Sequence, residues 1–505
     1  MILEDTYVIV LVKGDIGENF YIKLYLITSD KGHNDMDKNK ELVKNTAIIT
    51  VGKICTQFMS FLLMPLYTAV LSTEEYGIVD LVVTYTSLLI PVVLLQVDQA
   101  LFRFLIDVRD DKYGQKKVIS TAILFAIFQA VVAVVIFSIL HVFIKTEYKW
   151  FLLINVLAGI CANMMLQTAR GFGDNIAYAL GSFLSAVTQI LGNILLLVVI
   201  KMGVFGMLTA TISAHLLTVL YLFIKEKLYR FVSIKCFRLN ELMRILNYSI
   251  PLVPNALSWW VLNASDRTIV LAFLGTSFNG LLSVGHKFAS VYITFYNIFN
   301  ISWTESAALH MNDSDRDDFF SGVITNMFKL FMCMGIGIIA CMPFVFPILI
   351  SNKFKDAYGV IPIFMLSSML NVVVGLYSVV YVALKRTKEI AKTSIYSGII
   401  NIVVHLVLVK YIGLYAAAVS TVVAFGVMVI YRYYDLKKYI DIKLPIKGTG
   451  LIIIMFLGTC AAYYSEQIVL QISTFFVIVV ISVLFNKSLL MQGMKIMKCK
   501  ILKDK

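Results

Sequence analysis

Charge is scarce in this sequence. Asp, Glu, Lys and Arg make up 15% of its 505 residues and hydrophobic residues 59%, and the mean hydropathy is +0.83. A soluble chain of this length would need far more charge to cover its surface, so most of it must have lipid as its solvent. Other absences narrow the class. The alternating segments of an outer-membrane barrel are missing, which leaves helices as the spanning element, because each satisfies its own backbone hydrogen bonds. The longest connection between apolar runs, 225–249, is too short to be a folded domain. No G-x-x-x-x-G-K-[ST] is present, so the chain does not hydrolyse ATP itself. No Ser/His/Asp set has supporting surroundings, and Asp313-Ser-Asp315 lacks the nucleotide-binding domain that a glycosyltransferase D-x-D would need. The seven cysteines (Cys55, Cys161, Cys236, Cys333, Cys341, Cys460, Cys499) form no C-x-x-C or Cys/His cluster. They read as small packing residues, with no metal and no other cofactor implied.

What is present is a series of apolar runs, each near the roughly 20 residues that cross the ~30 Å hydrocarbon layer. Fourteen spans are expected: 45–71, 78–106, 118–144, 150–170, 176–200, 203–224, 250–275, 281–309, 320–350, 358–384, 393–409, 413–431, 448–465 and 468–486. Basic residues fall to one side. With both termini inside, the outer connections hold only Lys145, Lys149, Lys201, Lys353, Lys355 and Lys410, while thirty Lys and Arg lie in the inner segments. This is the positive-inside pattern. It accounts for the net charge of +13 by topology and anionic lipid, and no nucleic-acid partner is implied. The acidic loop His310 to Asp318 runs against the pattern, but acidic residues weigh little in orientation. Residues 1–35 are net acidic, carry no secretory-signal pattern, and precede Met36-Asp-Lys-Asn-Lys, a short basic start. They read as an extension, either a tail or a mis-assigned start.

The chain also resembles itself. Leu71-Ser-Thr-Glu-Glu-Tyr-Gly77 matches Leu274-Gly-Thr-Ser-Phe-Asn-Gly280, and Asn193 to Lys201 with Gly203 matches Asn401 to Lys410 with Gly413. The offset of 203 to 210 residues is six spans, an even number, so both copies enter the membrane the same way. The expected fold is therefore an all-α integral membrane protein. Its parts are an N-lobe over 36–247, a C-lobe over 248–435, and two extra C-terminal spans with a basic tail over 436–505.

Function has to sit in the polar groups that the spans carry. A charge at mid-membrane costs roughly 2.5–3.5 kcal/mol on insertion scales, so it needs a wet cavity or a partner. The first, second, seventh and eighth spans each place polar residues at helical spacing on one face: Lys53 to Thr68, Asp80 to Asp98, Asn255 through Trp259 and Asn263 to Asp266/Arg267, and Lys287 to Glu305. Pro91, Pro251 and Pro254 allow bends nearby. Arg267 and Asp266 lie deep, and read either as cavity groups or as a structural ion pair. Arg103 is close enough to a span end to snorkel, Lys53 and Lys287 sit near span starts, and Asp98 and Glu305 read as partners of cations or as proton-coupling acids. His215 and His405 read as packing residues.

A family resemblance rests on particular stretches. Gln57 to Gly77, Gln96-Val-Asp-Gln-Ala-Leu-Phe-Arg-Phe-Leu105, Tyr248-Ser-Ile-Pro-Leu-Val-Pro254, Trp259, Ser265-Asp266-Arg267 and the turn Leu274 to Gly280 resemble Wzx-type polysaccharide flippases of the MOP exporter superfamily. The resemblance implies two six-helix lobes, alternating access, and export of an undecaprenyl-diphosphate-linked oligosaccharide across a bacterial plasma membrane, with polysaccharide polymerase machinery as a partner and no enzymatic activity. On that reading Arg267, with Arg103, Lys53 and Lys287, attracts the diphosphate, and Asn263 and Trp259 line the same cavity. Asp266, Asp98 and Glu305 balance the field or couple an ion. A cation-coupled drug antiporter of the same superfamily is the alternative, and a membrane-embedded glycan polymerase is a third.

Overall fold

Each apolar run closes its own hydrogen bonds as a helix. The computed structural model describes residues 61–143, 146–311, 313–441 and 446–491, with the backbone of 8–13 and 20–25. The helices are α1 (Met64–Val70), α2 (Thr73–Val93), α3 (Val97–Asp107), α4 (Lys112–Leu140), α5 (Lys149–Phe172), α6 (Asn175–Asn193), α7 (Gly203–Lys225), α8 (Leu239–Ser249), α9 (Leu252–Phe273), α10 (Thr276–Leu309), α11 (Arg316–Leu349), α12 (Ile361–Ala383), α13 (Thr387–Ile412), α14 (Tyr415–Leu436), α15 (Ile446–Ser465) and α16 (Ile468–Phe485). The extension departs from the all-helical expectation: β1 (Val8–Lys13) pairs antiparallel with β2 (Phe20–Tyr25).

Eleven of the described helices are long and apolar enough to cross a membrane, against fourteen spans expected. The difference falls on three places. The first expected span lies largely outside the described residues. The seventh and eighth are helical as α9 and α10 but are not among the eleven, because Asp266, Arg267, His286, Lys287 and Glu305 lie within them.

The second expected span is two helices. Pro91 interrupts the hydrogen-bond ladder near the end of α2, and Leu95 and Gln96 then take left-handed φ of 51° and 57° before α3 begins. A non-glycine residue there costs of order 1–3 kcal/mol. The surrounding packing enforces it: Leu94, Val97, Leu101 and Leu105 are fully buried against Val118 and Ile119 of α4 and Ile160 of α5.

The chain divides into two compact units, residues 45–283 and residues 284–505 with 1–44. In the first, α7 packs on α6 and α5, α5 supports α2 and α3, and α9 lies on α2. In the second, α14 packs on α13 and α12, while α15 and α16 pack on α11. The repeat is visible locally. Gly203, the first residue of α7, and Gly413, two residues before α14, both have φ of 55°, which glycine adopts without strain. The matched Asn193 and Asn401 are both buried. Asn193 donates to Tyr67 Oη at 2.6 Å, and Asn401 donates to Thr421 Oγ1 at 3.1 Å.

The other repeat match forms a contact. Ser72 and Glu75 form a reciprocal capping box at the start of α2. One turn on, Gly77 lies so near the start of α10 that an added Cβ would come within 2.0 Å of Thr276 O; a Cβ on Gly280 would come within 2.0 Å of Thr73 O. The two repeat-related helix starts therefore touch backbone to backbone, which only glycine permits. Gly77→Ala and Gly280→Ala are each expected to lower the unfolding temperature in detergent, since overpacking costs roughly 1–3 kcal/mol. Gly426→Ala, where a Cβ meets nothing within 4 Å, is expected to leave it unchanged or slightly raised. Equal responses at all three positions would contradict the close approach.

Candidate functional site

Asp80 lies seven residues after the start of α2, and Arg267 six residues before the end of α9. In antiparallel helices these are similar depths. The structure joins them: Arg267 Nε donates to Asp80 Oδ2 at 2.8 Å, with the side chains only 12% and 16% exposed. Ser283 Oγ donates to Asp80 Oδ1 at 2.8 Å, so both carboxylate oxygens are engaged. Asn279, fully buried, donates from Nδ2 to Arg267 O at 3.1 Å. Asp266 is buried next to Arg267 in the chain.

The seam continues along the two helices. Trp260 Nε1 donates to Thr84 O at 3.1 Å, the hydroxyls of Tyr85 and Thr268 meet at 3.2 Å, and the Tyr85 and Trp260 rings stack with centroids 6.4 Å apart. Polar groups thus join α2 and α9 where apolar side chains would be cheaper to bury. The arrangement offers ion pairing and hydrogen bonding.

The other expected residues are dispersed. Arg103 is 47% exposed and pairs with Asp107 on its own helix. It belongs to an ion network that fastens α8 to α3 and α4. Buried Glu241 accepts from Lys117 at 2.9 Å and from Arg244 at 3.4 Å, Arg244 lies 3.8 Å from Asp107, and its guanidinium sits 4.3 Å from the Phe104 ring centroid. Asp98 is 7% exposed in the first turn of α3, two residues after the left-handed pair, and accepts from Gln99 Nε2 at 2.9 Å; the helix N-terminus favours its negative charge. Lys287 and Glu305 lie on the part of α10 that belongs to the second unit, Lys287 partly exposed and Glu305 exposed. Lys53 lies outside the described residues, as do the side chains of Trp259 and Asn263.

Sequence reasoning did not assign Asp80 to Arg267, although opposite charges at matched depth were the available signal. The expected span 413–431 also leaves Arg432 among the thirty inner-segment cations. Arg432 is 1% exposed within α14.

Two outcomes test these assignments. Asp80→Ala or Arg267→Ala leaves a buried charge unpaired and is expected to cost about 3–5 kcal/mol in detergent unfolding, while the double variant costs clearly less than the sum; strict additivity would show that the pair is not coupled. Beyond the end of α7, burial and the charge of Asp174, opposed by Lys225, push the Glu226 carboxyl up to about 7. Because the folded state holds this proton more tightly than the unfolded chain, the stability it contributes is lost as pH rises from about 4.5 through 7. Glu226→Gln is expected to flatten that slope, and an unchanged slope would place its origin elsewhere.

Residues 42–303, just over half of the chain, match the model of the polysaccharide biosynthesis protein family. No curated protein matches. Among solved structures, the lipid II flippase MurJ in an inward closed conformation has a TM-score of 0.65 at 15% identity, covering 89% of this chain and 100% of that one. An inward-facing multidrug resistance MATE family transporter of the MOP superfamily has 0.62 at 13% identity, covering 76% and 95%. An outward-facing one has 0.51 at 14%, covering 81% and 96%. At such identities these structures speak for the fold. The chain belongs to the polysaccharide biosynthesis protein family, is a multi-pass membrane protein, and shares its fold with the MurJ and MATE structures.

Proposed function

We propose that the chain exports undecaprenyl-diphosphate-linked oligosaccharide repeat units across a bacterial plasma membrane, with both termini cytoplasmic, and delivers them to polysaccharide polymerase machinery. The observation that carries this reading is the Arg267–Asp80–Ser283 cluster, in a seam between helices whose neighbours are apolar. A diphosphate offers Arg the same oxygen geometry as a carboxylate with more charge, so it competes with Asp80 for the guanidinium fork. On this reading Lys53, Arg103, Lys287, Asn263 and Trp259 are further candidates for substrate binding, and Asp98 and Glu305 are candidates for ion coupling. The isoprenoid tail stays in lipid while the head crosses.

The test uses proteoliposomes loaded with undecaprenyl-diphosphate oligosaccharide and an external glycan-cleaving enzyme. Wild type is expected to expose the glycan progressively. The paired variant Asp80→Asn/Arg267→Gln keeps hydrogen-bonding groups without charge, and is expected to slow exposure about tenfold or more, the worth of a charge-assisted bond. A paired variant that moves glycan at the wild-type rate would leave Arg267 with a structural role only. Wild-type vesicles that move organic cations but no glycan would favour the drug-antiporter alternative.

A further inference from the structure

In the second unit, one face of α14 forms an open cleft of about 440 Å³ lined by Val427, Ile430, Tyr431, Tyr434, Asp435 and Lys438. The spacing of three and four residues puts all six on a single face that continues past the helix end. Its polarity is graded: aliphatic at Val427 and Ile430, phenolic at Tyr431 and Tyr434, charged at Asp435 and Lys438.

The opposite face is pinned. Arg432 donates from Nε and Nη2 to Thr393 Oγ1 at 3.1 and 2.8 Å, from Nη1 to Val374 O at 3.1 Å and to Ser378 Oγ. These bonds tie α14 to α12 and α13. Asp435 accepts from Tyr381 Oη at 2.8 Å and from Lys438 Nζ at 2.9 Å. The Lys438 ammonium, on a side chain 67% exposed, is therefore steered to the cleft mouth by a buried carboxylate, which takes one of its three donors.

The surroundings favour an anion. Lys385, Arg386, Lys388, Lys392 and Lys437 are exposed at the same end of the bundle, with the acids Glu389, Asp435 and Asp441; the acidic 313–318 loop also reaches this end, where Asp317, paired with Arg316, accepts from the Asp441 N–H. Arg386 is held in place by Tyr439, donating to its hydroxyl at 2.8 Å with the guanidinium 4.0 Å from the ring centroid.

We propose that this cleft is a docking site for an anionic phospholipid, with the headgroup phosphate on Lys438, the glycerol region between Tyr431 and Tyr434, and an acyl chain along Val427 and Ile430. The grading from aliphatic through aromatic to cationic follows a phospholipid from chain to head, and the basic run Lys385 to Lys392 with Lys437 favours an anionic head over a zwitterionic one. The site is independent of the transport reading, since it needs only that the chain lie in a bilayer.

Native mass spectrometry of the full chain in detergent, titrated with phosphatidylglycerol, phosphatidylethanolamine, phosphatidylcholine or undecaprenyl diphosphate, tests it. Phosphatidylglycerol is expected to be retained best, and Lys438→Gln to weaken its retention about fivefold, the worth of one surface lysine. Lys438→Arg is expected to retain it, and Lys388→Gln, which removes a cation outside the cleft, to change it little. Unfolding temperatures measured alongside show whether each variant is folded, and phosphatidylglycerol is expected to raise that of wild type more than that of Lys438→Gln. Equal loss from Lys388→Gln would reduce the site to a diffuse basic belt. Equal retention of the zwitterionic lipids, or preference for undecaprenyl diphosphate, would overturn the anionic-phospholipid assignment.

Discussion

A charge buried among membrane helices has to be answered by another charge or by water. In the first unit that constraint is met between α2 and α9. Arg267 sits against Asp80, Asp80 is completed by Ser283 from the start of α10, and Asn279 reaches back to the Arg267 carbonyl. The cluster connects three helices through groups that an apolar seam would not need, and apolar replacement of such pairs is often neutral or stabilising. A transporter for a diphosphate-headed lipid gives the polar seam a use. An arginine already matched to a carboxylate can be handed to a phosphate without either anion's site being left empty for long.

Much of this was legible in the sequence, because lipid is a demanding solvent. Apolar runs of the right length have only one common solution when no barrel pattern exists, so eleven of the expected spans appear as helices of matching position. Local marks of the repeat were legible too: Gly203 and Gly413 share a positive φ of 55°, and Gly77 and Gly280 occupy reciprocal close contacts. The same physics explains why α9 and α10 fall short as generic spans: the polar residues that make them candidates for a site also lower their apolarity.

What was not legible depended on tertiary packing. The left-handed break at Leu95 and Gln96 carries no glycine to announce it, and only Pro91 hinted at an interruption. Arg432 looked like a loop cation because it lies near a span end, yet hydroxyls and carbonyls on α12 and α13 surround it. The repeat and the packing also divide the chain at different places. The expected C-lobe begins at 248, whereas contacts group α9 with residues 45–283.

The central claim is that the Arg267 seam meets water and substrate. Thr268, beside Arg267, is exposed, so Thr268→Cys in a background without the native cysteines reports on its solvent directly. Labelling by a water-soluble, membrane-impermeant maleimide is expected, with protection when undecaprenyl-diphosphate oligosaccharide is added. A thiol that stays unlabelled, or labels at one rate with and without that lipid, would contradict the account.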